Sequence, residues 1–91
     1  MDTLTYINKG AKATITVIGD DIWNIDVIES PISSKSYVKK LVDKIKQDAL
    51  SMNIKRLTLL CSIYNVEYFE IDHNFYKIND TYDGVIMEYT L

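Results

Sequence analysis

From Ala13 to Ile28 the apolar residues fall on alternate positions, interrupted once by Gly19, Asp20 and Asp21. Ala13, Ile15 and Val17 share one side of the first run, with Thr14 and Thr16 on the other. In the second, Trp23, Ile25 and Val27 oppose Asn24, Asp26 and Ile28. A period of two belongs to a strand buried on one face, so the stretch predicts a hairpin around a Gly-Asp-Asp turn. Pro31 ends it, because proline lacks the N–H that a ladder requires.

The period then changes. Ser33, Ser34, Lys35 and Ser36 offer helix caps, and Val38, Leu41, Val42, Ile45, Ala49 and Met52 recur at spacings of 3, 4 and 7, predicting an amphipathic helix over Ser33 to Met52. Lys35, Lys39, Lys40, Lys44 and Lys46 lie mostly off that stripe and face water or a ligand. Leu57 to Cys61 is a continuous apolar run of strand length, the pattern of a strand covered on both faces. Asn65 to Asp72 reads as a short helix or an irregular turn, Phe75 to Ile78 as a strand, Asn79 to Gly84 as a loop, and Val85 to Leu91 as a last strand. Hairpin, helix and buried strand together imply an α/β (α+β) domain. Its mixed central sheet should have about five or six strands, with one long helix and room for a second near residue 66.

With 91 residues, 47% of them apolar, three glycines and one proline, the chain suits a single domain over residues 1–91. Net charge is −3 but uneven: residues 1–34 sum to −3, residues 35–56 to +5 and residues 57–91 to −5. The basic middle is either a solvated helix face or an anion-binding one, and the acidic whole disfavours nonspecific nucleic-acid binding. No stretch reaches the roughly 20 apolar residues of a membrane span, and Met1 to Gly10 lacks the pattern of a secretory signal. A cytoplasmic protein is expected. Cys61 is the sole cysteine and sits in the apolar run, which favours a buried, inert thiol. His73 is the only histidine and has no neighbours at zinc spacing, so no metal site is expected. Ser33, Ser34 and Ser36 stand at a helix start, not in a nucleophile elbow. Tyr64, Tyr68, Phe69, Phe75 and Tyr76 read as packing rather than a base-stacking platform.

The succession of hairpin ending Ile25 Asp26 Val27 Ile28 Glu29, helix with Leu41 Val42 Asp43, strand Lys55 to Ser62, Asn65, and close Tyr82 Asp83 Gly84 Val85 Ile86 Met87 resembles the central and C-terminal part of the GNAT acetyltransferases. In length and layout it is similar to the miniature type V anti-CRISPR acetyltransferases. The likeness runs from about Ala11 to Leu91 and implies that the N-terminal strand and helices that shape the family's acceptor groove are lacking. In that family the loop entering the helix carries R-x-x-G-x-G or Q-x-x-G-x-G, whose glycines admit the coenzyme diphosphate to backbone N–H groups at the helix start. Counting back from Leu41 puts the basic position on Ser33 and Ser34 and the glycines on Ser36 and Val38. Bulk at Ser36 and Val38 is expected to close that cradle.

The resemblance also implies a carboxylate base before the loop and a tyrosine acid beyond the Asn of the next strand. Glu29 stands near the first place; Glu70 falls where the tyrosine usually lies, with Tyr68 two residues away. Two readings follow. One is a noncatalytic GNAT-like binding protein or pseudoenzyme with no cofactor, a small inhibitor or adaptor of a protein target, phage-like by analogy of size, with a homodimer as an open arrangement. The alternative is an acetyl-CoA-dependent N-acetyltransferase with Glu29 and Tyr68 catalytic and Ser34, Lys35, Ser36, Lys39 and Asn65 at the cofactor.

Overall fold

The computed structural model describes residues 2–30 and 35–91. Along them run β1 (Thr3–Asn8), β2 (Ala11–Ile18), β3 (Ile22–Glu29), α1 (Lys35–Ser51), β4 (Arg56–Cys61), α2 (Val66–His73), β5 (Tyr76–Thr81) and β6 (Gly84–Thr90), with a 3₁₀ turn, Ile63–Asn65, leading into α2. The strands form one mixed sheet in the order β1-β2-β3-β4-β6-β5. β3 and β4 are parallel and the other neighbours antiparallel. The parallel pair is joined by α1, the long crossover such pairs require. The predicted α+β architecture is the one observed: the mixed sheet expected to have about five or six strands has six, and the second helix allowed for near residue 66 is α2.

Two stretches differ from the sequence reading. β1 was not anticipated: its inner residues Leu4, Tyr6 and Asn8 are only half-buried and mixed in polarity, so the alternation lacks contrast. It is fixed by a two-residue turn, Lys9 and Gly10, both at positive φ (49° and 91°), the geometry whose twist matches two antiparallel strands. Asn79 to Thr81, read as loop, belongs to β5, and the turn contracts to Tyr82 and Asp83. Every residue of β5 is exposed, so no hydrophobic pattern marks it; its ladder with β6 makes it a strand.

Val38, Leu41, Val42, Ile45 and Ala49 of α1 pack on Ala13, Ile15, Trp23, Ile25, Leu57, Leu59 and Met87 of the sheet. The helix ends where Asn53 turns left-handed (φ 61°): Ile54 N–H donates to Ala49 O at 2.9 Å and Asn53 N–H to Leu50 O at 3.1 Å, satisfying carbonyls the helix leaves open. Met52, placed on the apolar stripe by its spacing, lies past that end and is 60% exposed. α2 sits beside α1 on the same side of the sheet, joined to it by Lys46. Its ammonium donates to the His73 carbonyl and lies 3.9 Å from the Tyr89 ring centroid and 5.5 Å from that of Phe75. Lys46 therefore staples two helices and β6 and does not face open solvent as its spacing suggested. Among the described residues no helix covers the opposite sheet face, which displays Val27, Leu60 and Tyr76.

Candidate functional site

β3 does not keep its two-residue alternation. Its register against β2 steps from Ile15↔Ile25 to Thr14↔Val27, leaving Asp26 as an extra, bulged residue. Beyond that point the two faces exchange, because paired residues share a face. Val27, read as facing the core, joins Thr14 on the bare face, and Ile28 joins buried Ala13. Glu29 is carried out beside Lys12 and is exposed.

The bulge coincides with the end of the parallel seam. β3 and β4 pair only from Ile22↔Arg56 to Ile25↔Leu59, then separate. The opening is a cavity of about 190 Å³ with Ile25, Ile28, Leu59 and Phe69 as apolar walls and Asp26, Cys61, Ser62 and Asn65 as its polar and thiol groups. Beside it, on the sheet face away from α1, the Thr58 hydroxyl donates to Asn24 Oδ1 (2.7 Å), Asn24 Nδ2 donates to Asp26 Oδ1 (2.7 Å), and the Thr16 hydroxyl donates to Asp26 Oδ2. Both oxygens of the exposed Asp26 carboxylate are thus engaged, one by Thr16 of β2 and one by Asn24 of its own strand. Burial pushes the Cys61 thiol up, away from thiolate character.

Of the described residues given a catalytic or cofactor role from sequence, Asn65 alone lines this cavity. Glu29 lies at the exposed end of β3, outside the lining. Tyr68 is turned into the domain, edge-on to His73 at 4.8 Å and to Phe69 at 5.2 Å, with its phenol pushed up by burial and by the Asp72 charge. Ser36 is exposed on the first turn of α1, and Lys39 is exposed and paired with Asp43 at 3.6 Å. Ser33 and Ser34, and the side chain of Lys35, lie outside the described residues. Val38 is buried in the core, so its side chain fills the space under the helix and not a phosphate cradle. That leaves Ser36 to carry the steric expectation. Asp26 has no site role in the sequence reading, where it sits at a regular alternating position; nothing local announces a bulge. Of the aromatic cluster, Tyr68, Phe69 and Phe75 pack together around His73, Tyr76 donates to Glu88 on the bare face, and Tyr64 stands 91% exposed.

No protein-family model matches the chain, and no curated protein matches it. Solved structures do. The anti-CRISPR protein AcrVA5 aligns over 98% of this chain and 99% of its own, with a TM-score of 0.78 at 17% identity. A putative N-acetyltransferase from Lactobacillus plantarum aligns over 98% of this chain and 68% of its own, with a TM-score of 0.83 at 11% identity. The PaiA N-acetyltransferase from Thermoplasma acidophilum, solved in complex with coenzyme A, aligns over 89% of this chain and 53% of its own, with a TM-score of 0.73 at 15% identity. At identities below 20% these likenesses show the fold: a six-stranded mixed sheet with two helices that is GNAT-like.

Proposed function

We propose that this chain is a noncatalytic GNAT-fold protein that works by binding a protein target, as a small inhibitor or adaptor in the cytoplasm. The observation that carries the reading is the placement of the candidate acid–base groups, with neither Glu29 nor Tyr68 among the residues lining the cavity. Proton transfer needs a base within hydrogen-bond reach of the reacting amine and an acid within reach of the leaving thiolate. Asp26 already accepts from Thr16 and Asn24, and Tyr68 packs on His73 away from the cavity. The bare sheet face, with Val27, Leu60 and Tyr76 outward, supplies surface for a partner. The end-to-end match in size with a protein named for anti-CRISPR activity supports an inhibitor of phage or mobile-element type. Incubation with labelled acetyl-CoA and a native-host extract is expected to leave no acetylated protein, while immobilised chain retains a defined partner. Label transferred to any protein in step with added chain would overturn the reading.

A second reading, acetyl-CoA-dependent N-acetyl transfer, is favoured by the cavity itself: the strands still part over apolar walls, with Asn65 at the rim, and a structure of the same fold holds coenzyme A. Ser36 and Lys39 would then hold the coenzyme's anionic part, and the coenzyme would supply the acetyl thioester. Calorimetric titration separates the two readings, since micromolar acetyl-CoA binding belongs only to the second.

A further inference from the structure

The two edges of the sheet are built differently. β5 carries a register break between Lys77 and Asn79 and an ion pair between Lys77 and Asp80 (2.9 Å), both of which obstruct pairing with another strand. β1 has neither obstruction. Its register with β2 is unbroken from Thr3↔Thr16 to Asn8↔Ala11, and Thr3–Asn8 contains no charge and no proline.

The outer row of β1 is also defined. Val17 N–H donates to Asp2 O at 2.9 Å, which makes Asp2↔Val17 a hydrogen-bonded pair. Because such pairs alternate along an antiparallel ladder, Leu4, Tyr6 and Asn8 bond to β2, while Thr3, Thr5 and Ile7 direct N–H and C=O away from the sheet. The strand is held rigidly for this. The Tyr6 hydroxyl donates to Asp48 Oδ2 at 2.8 Å and Asn8 Nδ2 to Tyr37 O at 3.1 Å, both anchoring β1 to α1.

We infer that β1 is the interface of a homodimer in which two copies pair their β1 edges antiparallel about Thr5, joining the sheets into one. Self-complementarity selects a second copy as the occupant. Rotation about Thr5 sets Thr5 against Thr5 and Thr3 against Ile7 of the other copy, so every outward N–H meets an outward C=O. Ile7, 71% exposed in the single chain, gains a neighbour. The same rotation brings exposed Asp2 at each end beside exposed Lys9 of the other copy, opposite charges at both ends of the ladder. Paired residues share a face, so both helix layers lie on one side and both bare faces on the other. The inference is independent of what the cleft does.

Sedimentation of the full chain over a wide concentration range tests it. The expected result is a reversible shift from the 10.5 kDa chain to twice that mass. Thr5→Pro removes an N–H that bonds nothing within one copy, at an edge position where proline is tolerated, and Ile7→Lys adds an edge-protecting charge. Each is expected to weaken association by at least about tenfold with an unchanged circular dichroism spectrum. Should Thr5→Pro fail to fold, Ile7→Lys gives the same readout from an exposed side chain. Asp2→Lys and Lys9→Asp should each weaken the dimer, and together restore it. A chain that stays monomeric at millimolar concentration, or a dimer untouched by both edge variants, overturns the inference.

Discussion

The Thr58 hydroxyl donates to Asn24 Oδ1 at 2.7 Å across the parallel seam, one rung before β3 and β4 part. It is the first link of the chain that runs through Asn24 to Asp26, so it helps to fix the position of the Asp26 carboxylate. Thr58→Val keeps the β-branched shape and removes the donor. The expected loss is about 1 kcal/mol, seen in urea unfolding as a lower midpoint with an unchanged slope. A change in slope instead would mean that the seam itself had opened.

His73 is fully buried, and neither ring nitrogen has a hydrogen-bond partner. Burial first, then the charges of Lys46 and Lys39, outweigh the opposing Asp43 and Asp72 and lower its pKa from 6.5 to about 4. The sign follows: between these values the unfolded chain takes up a proton that the folded one refuses, so stability falls as pH drops from 6.5 towards 4. The expected slope is about 1.4 kcal/mol per pH unit. Asp48, held below its usual 3.8 first by Tyr6 and then by Lys44, adds its loss only at lower pH. His73→Phe keeps the aromatic packing and should flatten the slope between pH 6.5 and 4; a slope that persists assigns it elsewhere.

Tyr6 ties the edge strand to α1 through Asp48. Its phenol is pushed up to about 12 by burial and then by the Asp48 carboxylate. A folded value above the unfolded 10 means stability that is complete below pH 10 and drains away as pH rises towards 12. Tyr6→Phe is expected to lower stability at neutral pH by about 1–2 kcal/mol and to remove that alkaline loss. Chemical denaturation on both sides of pH 10 reads both effects together.

Gly84 begins β6 at φ 153° with its Cα against the Cys61 carbonyl, so a Cβ there would fall inside 3.0 Å of that backbone oxygen. Neither backbone can yield as a side-chain tip would. Gly84→Ala should cost more than about 1 kcal/mol, and, since Cys61 closes the β4–β6 ladder with Val85, the thiol should become open to alkylating reagents well before global unfolding. Thiol labelling at the wild-type rate would show that the turn absorbs the strain.

Much of the fold was legible because burial imprints a period. The alternation at Ala13, Ile15 and Val17 and the 3-and-4 spacing of Val38, Leu41, Val42, Ile45 and Ala49 are both faces turned to the same core. β1 and the outer half of β5 were not legible, since edge strands bury little and owe their form to the hairpin ladder with the adjoining strand and not to an apolar face. The site was least legible. Asn65 could be found through the family resemblance, whereas Asp26 could not be found from its own strand, because a bulge is a mismatch between two strands and no single strand records it.

By itself the sequence determined the elements that bury a face, their order and the one-sided helix, since these follow from local propensity and from which residues avoid water. Only the tertiary structure decided that Asp26 is held between Thr16 and Asn24, that Val27 and Glu29 face outward, and that Tyr68 and Lys46 turn inward to His73 and Tyr89. Those outcomes depend on register and on packing between segments far apart in the chain, where a shift of one residue exchanges the two faces of a strand.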